Sequence, residues 1–256
     1  MKSLVFCLLL LSQLAWAHDY PDTYRYQVLV TDKTTSTVTQ SSFLSIPNIV
    51  HAIHIKNLRK IKASVVVTTD WVKPYFTAWA NRENENKYTL NFWGGLARIP
   101  GMNDEAFAIT ACHELGHVIG GTPRIKIKEF LWSSAEGQSD YFATSVCMKN
   151  YFKFVNQTKK LTIPKKLSET AFTLCRTTYS NELEFLICLN TNKGIEGFAA
   201  MLEHLSQYKE QLSIETPSKK QVKVTTFDSY PDTQCRIDTL FQGSLGQPRP
   251  ACWFAK

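Results

Sequence analysis

The run His113-Glu114-Leu115-Gly116-His117 constrains this chain more than any other feature. Two histidines four apart on a helix project from one face and can place both imidazoles on one metal ion. Glu114 lies about a hundred degrees round the helix, beside that metal position, where a carboxylate can take a proton from water. The flanks support a helix. Asn103 can cap it, Asp104 and Glu105 set negative charge against the positive end of its dipole, and Gly120-Gly121 followed by Pro123 stops it near Ile119.

A catalytic zinc takes three protein ligands and keeps one position for water, so a third ligand is needed nearby. Ser134-Ala135-Glu136-Gly137-Gln138-Ser139-Asp140 offers two acids four apart. On a second helix starting near Ser133 or Ser134 and continuing through Cys147, both acids can face the first helix, with the loop 120–133 reversing the chain. Glu136 is taken as the ligand. Asp140 then accepts a hydrogen bond from the outer nitrogen of a ligand histidine, fixing its tautomer. Two other assignments stay open: Asp140 on the metal with Glu136 as cap, and both acids as helix-dipole partners with no metal at all.

The N-terminus predicts export. Lys2, the apolar run from Leu4 to Leu14 and the small residues in Ala15-Trp16-Ala17 have the form of a signal peptide, residues 1–17, leaving His18 first. No later stretch is apolar enough to span a bilayer. Cys7 leaves with the leader, and Cys112, Cys147, Cys175, Cys188, Cys235 and Cys252 can form up to three disulfides in an oxidising compartment. Cys235 with Cys252 is the preferred pair, and a buried free thiol stays open for Cys112. The formal charge of +7, or +6 without Lys2, favours anionic surfaces but names no partner. The basic clusters lack interleaved aromatics, so no nucleic-acid surface is expected.

Residues 18–256, roughly 240, suffice for one domain with a sizeable core. Within it, 18–74 is the least legible part, with β-branched runs at Tyr26 to Thr31 and Val65 to Thr69 and an amphipathic helix around Ile49 to Ile61. The segment 75–147 carries the zinc-site core. Tyr75 to Asn81 and Tyr88 to Trp93 read as two strands of a hairpin, ended or bulged by Gly94-Gly95. The part 148–256 reads as helical and disulfide-stapled: mainly helix over 165–208, then irregular after Ser213, punctuated by Pro217, Pro231, Pro248 and Pro250. His51 and His54 lack a third ligand and read as surface or core residues.

These features resemble the gluzincin peptidases of the HtpX and CAAX prenyl endopeptidase lineage, here without membrane helices. Besides the zinc motif, the resemblance rests on Thr77-Ala78-Trp79-Ala80, Gly95-Leu96, Asp104-Glu105-Ala106, Glu136-Gly137-Gln138-Ser139-Asp140 and Tyr230-Pro231-Asp232-Thr233-Gln234-Cys235-Arg236-Ile237. It covers about residues 75–147 and 228–241. Thr77 stands where the family usually has Asn, and Tyr230 where it has His. The resemblance implies an α+β, zincin-like domain with a small sheet and two zinc-bearing helices. It also implies one Zn2+ per chain on His113, His117 and Glu136. Glu114 is the expected general base, Tyr230 is either a hydroxyl donor to the oxyanion or an ordinary partly buried aromatic before a proline, and Asp140 and Arg236 organise the site. Asn91, Phe92, Trp93 and Gly94 are expected to form an edge strand that pairs with an extended peptide, the alternative being an internal strand paired on both sides. The expected activity is hydrolysis of peptide bonds in a peptide or protein substrate, in a secreted or periplasmic setting. A non-catalytic zinc-stabilised binding module and a cell-wall peptide amidase are the alternatives.

Overall fold

The computed structural model describes residues 26–207, 209 and 211–255; the expected leader lies outside them. The order is α1 (Gln40–Lys60), β1 (Ser64–Asp70), β2 (Ala78–Arg82), β3 (Lys87–Trp93), α2 (Gly94–Arg98), α3 (Asp104–Ile119), α4 (Glu136–Phe142), α5 (Met148–Thr158), α6 (Glu169–Thr178), α7 (Glu182–Leu205) and α8 (Thr233–Ser244). The architecture is α+β.

Helix α3 lies at the centre because almost nothing on it tolerates water. From Ala106 to Val118 every residue is buried, on all sides of the helix rather than along one stripe. A helix apolar all round needs neighbours on every face, and α1, α4, α7 and the sheet supply them. Phe107 stacks on Phe43 of α1 at 5.3 Å and meets the edge of Phe92 of β3 at 5.9 Å. Burying such a ring contributes roughly 1.5–3 kcal/mol.

The three-stranded sheet has the order β1-β3-β2, with β3 parallel to β1 and antiparallel to β2. The expected hairpin is therefore present, but β3 is its inner strand. Asn91, Phe92 and Trp93 pair on both sides, opposite Thr68, Thr69 and Asp70 and opposite Trp79 and Ala78 or the neighbouring Thr77. Phe92 is fully buried. Gly94 and Gly95 end the strand after Trp93, as expected, and open helix α2. A strand paired on both edges has no backbone groups left for a peptide, so these residues are not an edge strand.

Other boundaries shift for local reasons. Helix α1 starts nine residues before Ile49, at Gln40, because Thr39 and Ser42 cap each other's backbone in a capping box. Tyr26 to Thr31 makes only one bridge, Gln27 to Tyr75. That segment is instead held by Arg98, whose guanidinium donates to the carbonyls of Val28, Trp71 and Lys73. After Ser213 the chain is not irregular throughout: Asp232 accepts from Cys235 N–H and starts α8. No helix among the described residues is long and apolar enough to cross a membrane.

Three disulfides join Cys112 to Cys147, Cys175 to Cys188 and Cys235 to Cys252. The favoured Cys235–Cys252 pair is present, and Cys112 is not a free thiol. Cys112, adjacent to His113, ties α3 to the π-helical turn Ala143–Cys147 that continues α4 into α5. Closing a loop of 35 residues corresponds to about 3–4 kcal/mol of lost unfolded-state freedom. Urea unfolding of the Cys112→Ala/Cys147→Ala variant is expected to show a loss of that size, and an unchanged midpoint would reject this role.

Candidate metal centre

Helices α3 and α4 can approach because Gly116, inside the histidine motif, has no side chain. A Cβ there would lie 3.0 Å from Ser139 Cα. The contact sets the histidine face of α3 against the acidic face of α4. His113, His117 and Glu136 then offer ligand atoms that all lie within 4.8 Å of one another. Glu136 Oε2 is 3.1 Å from His113 Nε2 and 3.7 Å from His117 Nε2. Two ligands each about 2.0–2.1 Å from a tetrahedral zinc sit about 3.3 Å apart, so this donor set fits a zinc ion. Glu136 Oε2 is also a buried oxygen without a hydrogen-bond partner. Such an atom is costly to leave unsatisfied unless a ligand completes it.

The opposite nitrogens of the two rings are fixed from behind. His113 Nδ1 is 2.7 Å from Asp140 Oδ1, and Asp140 is gripped by Arg236, whose Nε and Nη2 donate at 2.8 and 2.9 Å. His117 Nδ1 is within 3.1 Å of the Ser134 carbonyl, 2.9 Å of Ser133 Oγ and 3.1 Å of Ser139 Oγ. With Nδ1 occupied, each ring presents Nε2 to the shared point. The three serines around His117 were not anticipated. Ser133 and Ser134 come from the reversing loop, whose turn brings Arg124 opposite Ser134, and no spacing rule announces such a contact.

Helix α4 starts at Glu136, two to three residues later than expected, and gives way to the π-helical turn at Ala143; the Glu136 carboxylate joins the histidines while Asp140 stays behind His113. The reversed assignment is therefore not the one seen. Tyr230 stacks on the Arg236 guanidinium with 5.0 Å to its ring centroid, and Phe198 lies over the same cation at 5.3 Å. Asn91 hydrogen-bonds within the sheet, to Thr68 and the Trp79 carbonyl. His54 is a buried core residue bonded to the Val50 carbonyl and Asn150.

The electrostatics favour positive charge between these side chains. Burial pushes the Glu114 carboxyl up, and the nearby histidines only partly oppose this. Burial also raises the Asp140 carboxyl, but Arg236 and His113 outweigh it and hold Asp140 well below the ordinary carboxylate range. For His113, burial lowers the pKa, yet Asp140 and Glu136 overcome it and carry the imidazole up to about 10. The neighbouring carboxylates thus favour the protonated, positively charged form of His113. A raised histidine pKa stabilises the metal-free fold fully below its unfolded value of about 6.5, and that contribution is lost as pH rises through about 10. Zinc must displace this proton, so affinity should rise about tenfold per pH unit near neutrality, with about one proton released per zinc. Calorimetry at pH 7 in buffers of different ionisation enthalpy checks this, and equal heats in all buffers would refute it.

Comparison with protein-family models, with curated proteins and with solved structures finds no match to this chain. What stands is a His-His-Glu group able to hold a metal ion, its histidines buried and its glutamate partly so, in an α+β fold with three disulfides.

Proposed function

We propose that this chain is an exported zinc-dependent endopeptidase with a zincin-like domain of gluzincin type. One observation supports it above all: the Nε2 atoms of a His-Glu-x-x-His helix and a carboxylate oxygen of the next helix converge in a buried site. His113, His117 and Glu136 would hold the ion. A zinc bound there supplies Lewis acidity, polarising a carbonyl and making water a better acid.

The chain's own groups supply the rest. Glu114, with its carboxyl raised by burial, is suited to accept a proton from water near neutral pH and to return it to the leaving amine. Asp140, held by Arg236, fixes His113 and balances positive charge at the site. Tyr230, stacked on Arg236, is the candidate hydroxyl donor to the oxyanion. The peptide's place passes from β3 to β2, an edge of the sheet that lies beside α3. Since Trp93 N–H bonds to the Thr77 carbonyl, the alternation of an antiparallel pair turns the backbone groups of Ala78 and Ala80 away from β3. An extended substrate can add there as a further strand.

The test is cleavage of a peptide library by the purified leader-free chain. Cleavage should be abolished by a chelator and restored by one equivalent of zinc. A chain that binds zinc stoichiometrically yet yields no chelator-sensitive cleavage would be a zinc-stabilised module instead. Digestion of purified cell-wall material would reveal an amidase.

A further inference from the structure

Helix α4 begins on the ligand Glu136, yet its N-cap, Ala135, makes no side-chain capping bond. Its first turn is held from outside by the C-terminal segment. Trp253, fully buried, lies flat against Gly137, where a Cβ would come within 2.5 Å of the indole. Arg249 Nε donates to Gln138 Oε1 at 2.6 Å and its Nη2 to the Thr122 carbonyl at 3.1 Å. Gln138 in turn donates to the Gly120 carbonyl, the C-cap of α3, at 2.7 Å. The chain Gly120, Gln138, Arg249, Thr122 therefore bridges the end of the helix bearing His117 to the start of the helix bearing Glu136. The Cys235–Cys252 disulfide anchors this segment to α8, one residue before Arg236. The segment is pinned again where Val222 and Thr226 donate to the carbonyls of Ala251 and Trp253.

We infer that Arg249 and Trp253 are positioning residues of the metal centre, setting the separation of Glu136 from the two histidines. The C-terminal segment is thus a third supporting layer of the site. This rests on the zinc reading above. It follows from mechanics as much as from contact: an uncapped first turn frays, and here a metal ligand is its first residue. Arg249 is half-buried and faces carbonyl and amide oxygens rather than a carboxylate. Removing it takes away a geometric brace without stranding a buried charge.

The measurement is zinc affinity, by competition with a chromophoric chelator, together with the visible spectrum of the cobalt-loaded chain. Arg249→Ala and Trp253→Phe are compared with Arg176→Ala, an exposed arginine stacked on Phe185. Arg249→Ala should bind zinc about 10–100-fold more weakly with shifted cobalt bands, while its metal-free melting temperature stays within about 2 °C of the parent. Arg249→Lys should recover part of the affinity, Trp253→Phe most of it, and Arg176→Ala should change nothing. Affinity within twofold of the parent in Arg249→Ala, or a loss matched by Arg176→Ala, would overturn the inference. A parent chain that takes up no zinc would instead overturn the metal-centre reading itself.

Discussion

Glu114→Gln is expected to keep a full equivalent of zinc and to lose peptide hydrolysis by about 10²–10⁴-fold, the contribution of a positioned general base. The change is nearly isosteric and touches no proposed metal ligand, so His113, His117 and Glu136 should keep their geometry. It removes the carboxylate charge and with it the capacity to accept a proton. Stability separates this from damage to the fold. An acid whose pKa is raised on folding opposes folding at pH values above its unfolded pKa, because the buried site then holds a charge that water solvates better. Glu114 is such an acid, pushed up by burial and only partly relieved by the histidines. At neutral pH the metal-free Gln variant should therefore be no less stable than the parent. Zinc stoichiometry, thermal unfolding and turnover on one peptide make the comparison. Near-normal turnover would reject Glu114 as the base, whereas loss of zinc would show that the substitution disturbed the centre.

The metal centre was legible because its determinants are local. Two histidines and two acids, each pair at a spacing of four, declare which side chains share a helix face, and the Asn103 cap and Gly120 stop declare that the helix exists. What failed was non-local. A hairpin pattern shows that β2 and β3 pair, but not that β1, some twenty residues earlier, returns to the far side of β3 and makes it internal. The choice is made by burial: Leu90 and Phe92 must cover α3 and the sheet centre. The same limit explains Cys112 with Cys147, since two buried cysteines on different helices leave no trace of which partner faces them. Helix α8 was missed for the opposite reason. The prolines around it were weighed as breakers, while the Asp232 cap directly after Pro231 was left out of the secondary-structure reading.

Asp140→Asn is expected to have the largest effect on the fold, and it links the fold to the site. Asp140 is fully buried, its carboxylate shared between Arg236, itself 5% exposed, and His113. Removing its charge takes the carboxylate away from a buried guanidinium, a class of change that costs about 3–5 kcal/mol. The native pKa of Asp140 is depressed, so its contribution is complete above the ordinary carboxylate range and disappears only in strong acid. Urea unfolding of the metal-free chain at pH 7 should show the full loss. Two effects on zinc then compete. Without Asp140, His113 no longer holds its proton so tightly, which eases metal entry; but the same carboxylate that favours the proton also favours the positive charge of a metal in its place. These electrostatic terms largely cancel, leaving the loss of ring orientation, worth about 10–100-fold in affinity. The proton count distinguishes this from simple destabilisation. The parent should release about one proton per zinc at pH 7, whereas the Asn variant, whose His113 keeps Glu136 but loses the Asp140 charge and so holds its proton less tightly, should release less. Unchanged proton release in Asp140→Asn would mean that Asp140 is not what charges His113.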